Sequence, residues 1–463
     1  MILAIDCGST NHKVALFDLS LNRQAVCSQS IAYIIRDGQR AEFDGEKIWQ
    51  DTLWQIREVC ESAKIEPSAI TSIALTGQAQ TFVILDALDR PVMPFISWAD
   101  TRAREESIEL EGQFGREFHR HCSFPSPIPE LQLSKLLWVR RHNPDWLRRA
   151  AKIVSLPGFL AWRLGGLHVT DTNLAAMSGL YSCPENGWWA PAREACGAQL
   201  EQLGELVPVG HAMQARRPWP QLRLSAEVRI VFAGNDQTAG AYANGGGVDQ
   251  VVLTFGTALV AYRYSGKTAG PYQPEGCWGP YPSGGFYELA ARNEGGAALD
   301  WAVEKLMPDN AAGFMEQAAS AASGATFFYP QHIHNDKAWI GSDDLGSRAR
   351  AVLEGLCFSA RQLIESDLKL KLSNAPVTVI GGGSECCGWL QILSDILNRP
   401  VHRGKGDALL GAAMMALPGI KVPSVPSADA VATPDSRAVA QHDQLYSAWQ
   451  AATRYGIPEK SSS

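Results

Sequence analysis

The amino-acid sequence predicts an α/β protein made of two domains with an active-site cleft between them. The chain has 463 residues, more than one hydrophobic core usually supports, so two domains are expected. Strand patterns alternate with helical patterns in both halves, which is typical of α/β architecture. A β-hairpin pattern also occurs twice, at residues 2–18 and again at residues 250–264. Each half of the chain therefore begins with the same arrangement of strands.

The first hairpin, ILAIDCGSTNHKVALFD, has a turn whose side chains suit phosphate binding. Glycine lets a phosphate approach the backbone, hydroxyls and amides donate hydrogen bonds, and a lysine supplies charge. The candidate phosphate-binding residues are Gly8, Ser9, Thr10, Asn11 and Lys13. Asp6, at the end of the first strand, could hold a hydrated Mg²⁺, which prefers carboxylate and water oxygens. An ordinary tight turn with a hydrogen-bonded aspartate is the alternative interpretation.

The elements after this hairpin alternate helix and strand patterns. The sequence predicts helices over 45–63 and 132–142, and strands over 70–75 and 82–86. Residues 183–192 are rich in Pro, Gly and Trp, which predicts a surface loop.

Residues 229–240, RIVFAGNDQTAG, predict a buried strand that turns into a helix of small residues. Asp236 lies at this junction, where the free N–H groups of the helix favour a carboxylate. A carboxylate in that position is a candidate general base for taking a proton from an alcohol. Because Asp is also a preferred helix-capping residue, the local sequence leaves capping as the alternative.

The second half repeats the hairpin in QVVLTFGTALVAYRY, with Gly256 and Thr257 at its tip. Two such hairpins on opposite sides of a cleft could hold a polyphosphate. A second glycine-rich turn, Gly381 to Gly383, follows a predicted strand, and its bare backbone would let a flat ring or a ribose approach. A flexible turn is the alternative there. The elements predicted in this half are helices over 294–306 and 345–371, a strand over 376–380, and helices over 384–397 and 436–453.

Composition excludes several classes of function. The chain carries 41 basic and 48 acidic residues, a net charge of −7, so neither nucleic acid nor an anionic membrane is an expected partner. The ten cysteines lack the spacing of zinc ligands and predict free thiols in the cytoplasm. The first residues read as a strand with an acidic residue at position six, unlike a signal peptide. No P-loop, GxGxxG fingerprint, protein-kinase catalytic loop or GxSxG elbow occurs, so an ATP site would need another architecture.

Taken together and in order, these stretches resemble the FGGY carbohydrate kinases, which have the fold of the actin, hexokinase and Hsp70 ATPases. The resemblance runs from residue 1 to about residue 420. It implies two actin-like (ribonuclease H-like) domains, at 1–232 and 233–425, followed by a C-terminal helix and tail at 426–463. The stretches that carry it are IDCGSTNHKVALFD, SIALTGQAQTFVILD, PFISWADTRA, KLLWVRRHNPD, SLPGFLAWRLGGLHVTDTNLAAMSGLY, AGNDQTAGAYANGG, VLTFGTALVA, RARAVLEGLCFSARQLIE and VIGGGSECCGWLQILSDILNRPV.

The resemblance implies ATP-dependent phosphorylation of a sugar or polyol hydroxyl, with ATP and Mg²⁺ as cofactors. Asp236 would accept the proton of the hydroxyl, and Asp6 and Asp236 would approach Mg²⁺ through water. Domain closure around the sugar would exclude water. Family members are often homodimers. Besides the first hairpin, the nucleotide contacts implied are Gly256, Thr257, Gly296, Asp300, Gly382, Gly383 and Cys386.

The sugar contacts implied by the resemblance are Gln78, Gln80, Trp98, Asp100 and Asp236. Amides pair with hydroxyls, and an indole face packs on C–H surfaces. For the four residues other than Asp236, the alternative interpretation is that they form the polar rim of a buried strand. A xylulose-like ketose is the expected substrate. A deoxyketohexose, ribulose or an aldonate is the alternative substrate, and a non-catalytic actin-like ATPase or sugar sensor is the alternative function.

The chain departs from the family pattern at a few positions. Xylulose kinases have Met-His, and glycerol kinases Arg-Glu, where this sequence has Ala79 and Gln80. Ala79 therefore argues against glycerol as the substrate. Gln132 stands where a Pro, Ser or Thr is expected ahead of Lys135. Cys386 replaces a small polar residue, which weakens the expectation of a side-chain contact to the base.

Overall fold

The computed structural model describes residues 1–245, 248, 250–266, 276–335, 337–370, 376–417, 419 and 430–454. Residue 371 of the predicted 345–371 helix lies outside these ranges, as do residues 418, 420–429 and 455–463 of the predicted second domain and C-terminal tail. The chain divides into two compact units. The first unit is Met1–Gly245, Ser265–Glu288 and Gly406–Pro423, and the second is Gly246–Tyr264, Leu289–Lys405 and Ser424–Ser463.

Up to residue 245 the chain forms fifteen strands and nine helices. The strands are β1 (Ile2–Cys7), β2 (Asn11–Phe17), β3 (Arg23–Ser30), β4 (Tyr33–Arg36), β5 (Ala41–Phe43), β6 (Ser72–Gly77), β7 (Phe82–Leu85), β8 (Phe95–Ile96), β9 (Lys152–Ser155), β10 (Val169–Asp171), β11 (Tyr181–Ser182), β12 (Gly187–Trp188), β13 (Glu205–Val207), β14 (Ala212–Gln214) and β15 (Arg229–Asn235). The helices are α1 (Gly45–Ser62), α2 (Arg104–Phe114), α3 (Arg116–His121), α4 (Gln132–His142), α5 (Pro144–Arg148), α6 (Leu156–Gly165), α7 (Thr172–Ala176), α8 (Ala190–Cys196) and α9 (Asp236–Ala243).

The described residues after 245 form the remaining elements. The strands are β16 (Val251–Phe255), β17 (Leu259–Gly266), β18 (Cys277–Pro280), β19 (Phe286–Arg292), β20 (Thr326–Phe328), β21 (Trp339–Gly341), β22 (Val377–Ile380), β23 (Val401–Arg403) and β24 (Ala430–Ala432). The helices are α10 (Gly296–Leu306), α11 (Ala311–Ser320), α12 (Leu345–Gln362), α13 (Cys387–Leu397), α14 (Ala408–Met415) and α15 (Ser436–Arg454). Short 3₁₀ segments occur at Pro67–Ala69, Leu200–Gln202, Pro220–Leu222, Pro330–Asn335 and Gly382–Glu385.

A six-stranded sheet with the order β14-β15-β6-β1-β2-β3 forms the centre of the first unit. Strands β1, β6 and β15 run parallel, and all but the first residue of β15 are buried. Strands covered on both faces need nearly continuous apolar runs, which ILAIDC and RIVFAG supply. Because parallel strands end at the same edge, the residues that follow β1, β6 and β15 come together.

The second unit contains the strand order β16-β22-β23-β24, with most of β17 paired on the other side of β16. Strands β16 and β22 are parallel, with Thr254 opposite Ile380. Helix α12 buries most of its residues against this unit's own hydrophobic core. The turns after β16 and after β22 therefore lie at one edge of this sheet, as the corresponding turns do in the first unit.

Both predicted hairpins are confirmed: β1 pairs with β2 and β16 pairs with β17, each antiparallel. Some boundaries differ. The helix predicted over 345–371 is α-helical only to Gln362 and continues as a single π-type turn at Leu363–Asp367. The helix predicted over 384–397 begins at Cys387, because the residues just before it form a 3₁₀ turn.

The surface loop predicted over 183–192 is wrong in part. The chain forms a short hairpin from β11 and β12 and then enters α8. Trp189 is 4% exposed, and its ring stacks on His121 at 4.9 Å between centroids. The Pro, Gly and Trp content indicated a turn correctly, but it could not show that the second tryptophan packs into the core.

The cysteine side chains that the structure describes are free thiols. Within the same described ranges, no helix combines the length and the apolar character needed to cross a membrane. The predicted division after residue 232 falls inside β15, whose residues all belong to the first unit.

Candidate active site

Three strand ends of the first unit bring together the residues predicted to act on the acceptor. Cys7 of β1 lies opposite Gly77 of β6, and Asn235 of β15 is paired with the same glycine. The backbone N–H of Gln78 also donates to the carbonyl of Cys7 at 2.9 Å. Asp236 and Asp6 therefore sit at one edge of the sheet, at the ends of buried strands.

Asp236 is the first residue of α9, and a neighbour caps that helix. The side-chain oxygen of Asn235 accepts the N–H of Thr238 at 2.8 Å, which makes Asn235 the N-cap. One oxygen of Asp236 accepts the N–H of Gln237 at 2.8 Å. The capping role that the local sequence left open for Asp236 thus belongs to Asn235.

The two carboxyl groups at this edge are both harder to ionise than usual. Burial first, and then the charges of Asp236 and Asp407, raise the pKa of Asp6 to about 7, against the opposing effect of Lys13. Burial likewise raises the pKa of Asp236 to about 6, while hydrogen bonds and Lys13 act in the opposite direction. A cation at this edge would relieve both effects.

Asp6 also carries an unused acceptor. Its Oδ1 atom is buried and has no hydrogen-bond partner within the described part of the chain. No group of three or more His, Cys, Asp or Glu residues that could hold a metal occurs in that part either. Two carboxylates with one free buried oxygen suit a hydrated Mg²⁺, which takes few protein ligands and keeps water and substrate phosphate oxygens.

Two hydrogen bonds from other parts of the first unit hold the backbone at the tip of the first hairpin, and polar groups of the tip lie at the surface. The amide of Gln78 donates to the carbonyl of Gly8 at 3.1 Å, and the hydroxyl of Tyr33 donates to the carbonyl of Ser9 at 3.0 Å. Lys13 lies opposite Asp6 in the hairpin register. Thr10 is exposed, and the side chain of Asn11 accepts a long hydrogen bond of 3.4 Å from Ser30. The tip is therefore a fixed turn with polar groups at its surface.

Two of the predicted sugar contacts are committed to internal hydrogen bonds. The oxygen of the Gln78 side chain accepts the hydroxyl of Thr81 at 2.7 Å. The carboxylate of Asp100 is fully buried, accepts the N–H of Ala41 at 2.8 Å and pairs with Arg102 at 2.6 Å. These hydrogen bonds hold the loops in position. They also occupy side-chain oxygens of Gln78 and Asp100 that would otherwise be available to a sugar.

The other two predicted sugar contacts are only half-buried. The N–H of Trp98 donates to the hydroxyl of Thr81 at 2.8 Å, which fixes the backbone and leaves the indole half-exposed. Gln80 has a left-handed backbone, with φ +62°, which is uncommon for a residue with a side chain. Its carbonyl accepts a hydrogen bond from the Lys135 ammonium at 2.9 Å.

The roles of Lys135 and Asn173 are not predicted by the sequence. Lys135 is fully buried, and its ammonium also donates to the carbonyl of Ser97 at 2.9 Å, so it ties together the two loops that carry Gln80 and Trp98. Burial lowers the pKa of Lys135 to about 7. The apolar run LLW that directly follows this lysine was the available signal in the sequence.

Asn173 connects α7 to the junction that holds Asp236. Its side-chain oxygen accepts the N–H of Asn235 at 3.0 Å, and its amide donates to the hydroxyl of Thr238 at 3.0 Å. Asp171 caps α7 by accepting the N–H of Asn173 at 3.0 Å. The short TDTN sequence shows the cap but not the long-range contact.

The predicted nucleotide contacts outside the first hairpin lie in the second unit, at or beside the edge formed by β16 and β22. The N–H of Gly296 donates to the carbonyl of Gly256 at 2.6 Å, and the N–H of Gly295 to that of Thr257 at 3.1 Å. The start of α10 is thereby held against the hairpin tip. Gly381, with φ +89°, lies so close that a Cβ atom there would be 2.5 Å from the carbonyl oxygen of Phe255.

The glycines of this edge fall into two groups. A Cβ atom at Gly296 would lie 2.6 Å from the oxygen of Gly256, and one at Gly383 would lie 2.7 Å from the Phe255 and Trp389 side chains. A Cβ atom at Gly256 would meet nothing closer than 3.8 Å, and one at Gly382 nothing within 4 Å. Close packing therefore explains why glycine occurs at positions 296 and 383, but it does not explain the glycines at positions 256 and 382.

The last two predicted contacts differ in their surroundings. Asp300 is exposed on α10. Cys386 is half-buried, precedes α13 and packs against the core of the second unit. Gly256, Thr257, Gly296, Gly382 and Gly383 are thus gathered near one edge by parallel strands. Asp300 lies on α10, and Cys386 lies just before α13.

Both halves of the chain match one family of known proteins. Residues 1–243 match the N-terminal domain of the FGGY family of carbohydrate kinases, and residues 251–419 match its C-terminal domain. The xylulose kinase of Escherichia coli is 25% identical over 90% of this chain and 89% of its own length. The glycerol kinase of Thermococcus gammatolerans is 26% identical over 90% of this chain and 88% of its own length.

Solved structures show the same fold. A structure described as a xyloylose kinase from Brucella ovis superposes with a TM-score of 0.87, at 23% identity, over 98% of both chains. The actin-like α/β fold predicted from the sequence is thereby confirmed. The chain belongs to the FGGY family of carbohydrate kinases and is a phosphotransferase.

Proposed function

We propose that this carbohydrate kinase phosphorylates a ketose of the xylulose type, with Asp236 as the general base. The observation that carries the proposal is the position of Asp236 at the end of β15, where Asn235 caps the helix in its place. A pKa of about 6 keeps most of this carboxylate ionised at neutral pH. A base with such a pKa can still accept a proton efficiently.

The proposed reaction forms one P–O bond and breaks another. The acceptor hydroxyl oxygen attacks the γ-phosphorus of ATP, the bond from that phosphorus to the β,γ-bridging oxygen breaks, and ADP leaves. Asp236 takes the hydroxyl proton. Such transfers depend mainly on positioning and on charge stabilisation, and the turn after β1, which two hydrogen bonds hold in place, suits the first of these needs.

Asp6 and Asp236 are the residues that would hold Mg²⁺, through water. The unpartnered Oδ1 of Asp6 and the raised pKa of both carboxyl groups support this role. The ion would supply charge neutralisation for the phosphate oxygens. Lys13, opposite Asp6 in the hairpin, would add positive charge for the phosphates.

The substrate assignment draws on two observations. The relatives named above include a xylulose kinase and a glycerol kinase at similar identity. Ala79 provides neither the charge nor the length of the arginine expected there in glycerol kinases. A ketose is therefore preferred to glycerol.

A coupled ADP-release assay over ketoses, polyols and aldonates tests the proposal. We expect one ketose to give kcat/KM above about 10⁴ M⁻¹s⁻¹. Asp236→Asn should lower kcat by a factor of about 10² to 10⁴, because the proton acceptor is lost, while ATP affinity stays within a few-fold. Asp309→Asn, at an exposed aspartate, is the matched control. An Asp236→Asn variant with unchanged kcat would refute the assignment of the base.

A further inference from the structure

The pairing between β15 and β6 shifts by one residue just before Asp236. Two residues of β15, Ala233 and Gly234, stand there opposite a single residue of β6, Thr76. Two residues opposite one make a β-bulge, which is rare between parallel strands and is over-represented next to active sites. The strand that leads to the proposed base therefore carries one extra residue.

This extra residue determines the orientation of the side chains that follow it. Side chains along a strand alternate between the two faces of the sheet, so a one-residue shift turns every later side chain to the other face. Asp236 follows the bulge with only Asn235 in between. Thr76 lies opposite Asp6 on its other side, and the charge of Asp236 raises the pKa of Asp6, so the two carboxyl groups lie near each other. The bulge is thus part of the geometry that brings the proposed base to this edge.

The backbone of the bulge requires a glycine. Gly234 has φ +70°, in the left-handed region that glycine adopts at no steric cost. A Cβ atom at this position would lie 2.9 Å from the Oδ1 atom of Asn173. The side chain of Asn173 therefore packs directly against the bulge.

Side chains from other elements supply the hydrogen bonds of the bulge. Buried N–H and C=O groups need partners, and the ladder between β6 and β15 is interrupted here. The hydroxyl of Thr76 donates to the carbonyl of Gly234 at 2.9 Å, and the Oδ1 atom of Asn173 accepts the N–H of Asn235 at 3.0 Å. Thr76 and Asn173 are both 0% exposed. Each bond fixes a backbone group within two residues of Asp236.

The orientation of the Asn173 side chain is itself fixed. Its amide nitrogen donates to the hydroxyl of Thr238 at 3.0 Å and to the carbonyl of Pro280 at 3.0 Å. The oxygen is therefore turned toward Asn235. Since Thr238 lies in the first turn of α9, Asn173 holds both the end of β15 and the start of the helix that Asp236 begins.

We propose that Thr76 and Asn173 are positioning residues, which set the direction of Asp236 by holding the bulge in β15. This inference rests on the proposed function. Both side chains act through the backbone, so their loss should lower kcat more than substrate affinity. A reacting group displaced by about 1 Å can cost about 100-fold in rate.

The first test replaces the hydroxyl of Thr76. Thr76→Val keeps the shape of the side chain and should lower kcat by about 10-fold to 100-fold, with KM for ATP and for the ketose within about threefold of the wild-type values. Thr76→Ser keeps the hydroxyl and should restore most of kcat. Thr326→Val is the matched control, because Thr326 is also buried and its hydroxyl donates to a backbone carbonyl, that of Ser342, at 2.9 Å in the second unit. It should leave kcat unchanged.

A double-mutant cycle shows whether the effect passes through the base. If Thr76 acts only by directing Asp236, adding Thr76→Val to Asp236→Asn should lower kcat by no more than about twofold below Asp236→Asn alone. Asn173→Ala removes the other bond to the bulge and should follow the same rule. It also provides the cycle if Thr76→Val does not fold. Thermal unfolding of each variant sets an assay temperature at which all of them are folded.

The possible outcomes separate this inference from the proposed function. If Asp236→Asn keeps the wild-type kcat, the proposed base fails and the inference fails with it. If Asp236→Asn loses activity while Thr76→Val and Asn173→Ala keep the wild-type kcat, the inference alone is refuted. Losses that multiply in the double variants also refute it, because they would show that the two side chains act independently of the base. A Thr76→Ser variant as slow as Thr76→Val leads to the same conclusion for the hydroxyl.

Discussion

At the scale of single residues, the two carboxyl groups at the acceptor edge predict the pH dependence of the reaction. The pKa of Asp236 is raised to about 6, so protonation disables the proposed base as the pH falls through that value. We expect kcat/KM for ATP, at saturating ketose, to drop about tenfold per pH unit below this point. An ordinary aspartate would retain activity to about pH 4. A profile that stays flat down to pH 5 would contradict the assignment.

Two neighbouring charges should move the acidic limb in opposite directions. Lys13 lowers the pKa of both Asp6 and Asp236, so Lys13→Met should shift the midpoint to higher pH. Asp407 raises the pKa of Asp6, so Asp407→Asn should lower the pH at which Asp6, the other proposed magnesium ligand, becomes protonated and should shift that part of the acidic limb to lower pH. Asparagine can still cap α14 in the place of Asp407, which keeps that helix intact. The midpoint is informative even where ATP affinity changes, because it does not depend on the height of the profile. Shifts in the same direction would show that these charges do not act on the two carboxyl groups as described.

At the scale of elements, the glycines beside β16 and β22 predict separable effects on stability and on nucleotide binding. Gly256→Ala and Gly382→Ala place a methyl group where the protein leaves room. They should change the free energy of unfolding by less than about 0.5–1 kcal/mol and weaken ATP binding about tenfold or more, because the methyl group meets the ligand. Calorimetric titration with ATP measures the second effect. Normal ATP affinity in both variants would show that this edge does not bind the nucleotide.

Gly296→Ala and Gly383→Ala are the complementary variants. Their added methyl groups would meet backbone or ring atoms at 2.6–2.7 Å. Overpacking of this kind costs about 1–3 kcal/mol, so denaturant unfolding should show a loss of stability. If these two variants are as stable as the wild-type protein, the close packing of α10 and of the Gly383 turn is not needed for the fold.

The sequence predicted elements better than it predicted their contacts. The two hairpins follow from apolar runs that flank short turns, and such patterns are local. The π-type turn after α12 has no clear local signal, and the predicted helix passed through it. Lys135 and Asn173 take their roles from partners 38 or more residues away. A periodic pattern shows that a residue is buried but cannot show what it meets.

At the scale of the whole molecule, each unit has its own hydrophobic core. The first core contains Leu3, Phe43 and Ile230, and the second contains Val251 and Phe358. Separate cores can unfold as separate steps, in which case one melting temperature does not describe the protein. The predicted acceptor residues all belong to the first unit, and the nucleotide residues from Gly256 onward belong to the second.

Ligands should therefore stabilise the two units unequally. A ligand at about 100 times its Kd adds about 2.7 kcal/mol to the folded state that binds it, which corresponds to about 5 °C or more for a unit of this size. In scanning calorimetry we expect two transitions, with the ketose raising that of the first unit and ADP raising mainly that of the second. Gly382→Ala should lose most of the ADP shift and keep the ketose shift, because its added methyl group lies at the nucleotide edge. The opposite result would be a single transition that both ligands raise equally, in the wild-type protein and in this variant. It would mean that the two cores unfold together and that the ligands do not bind to separate units.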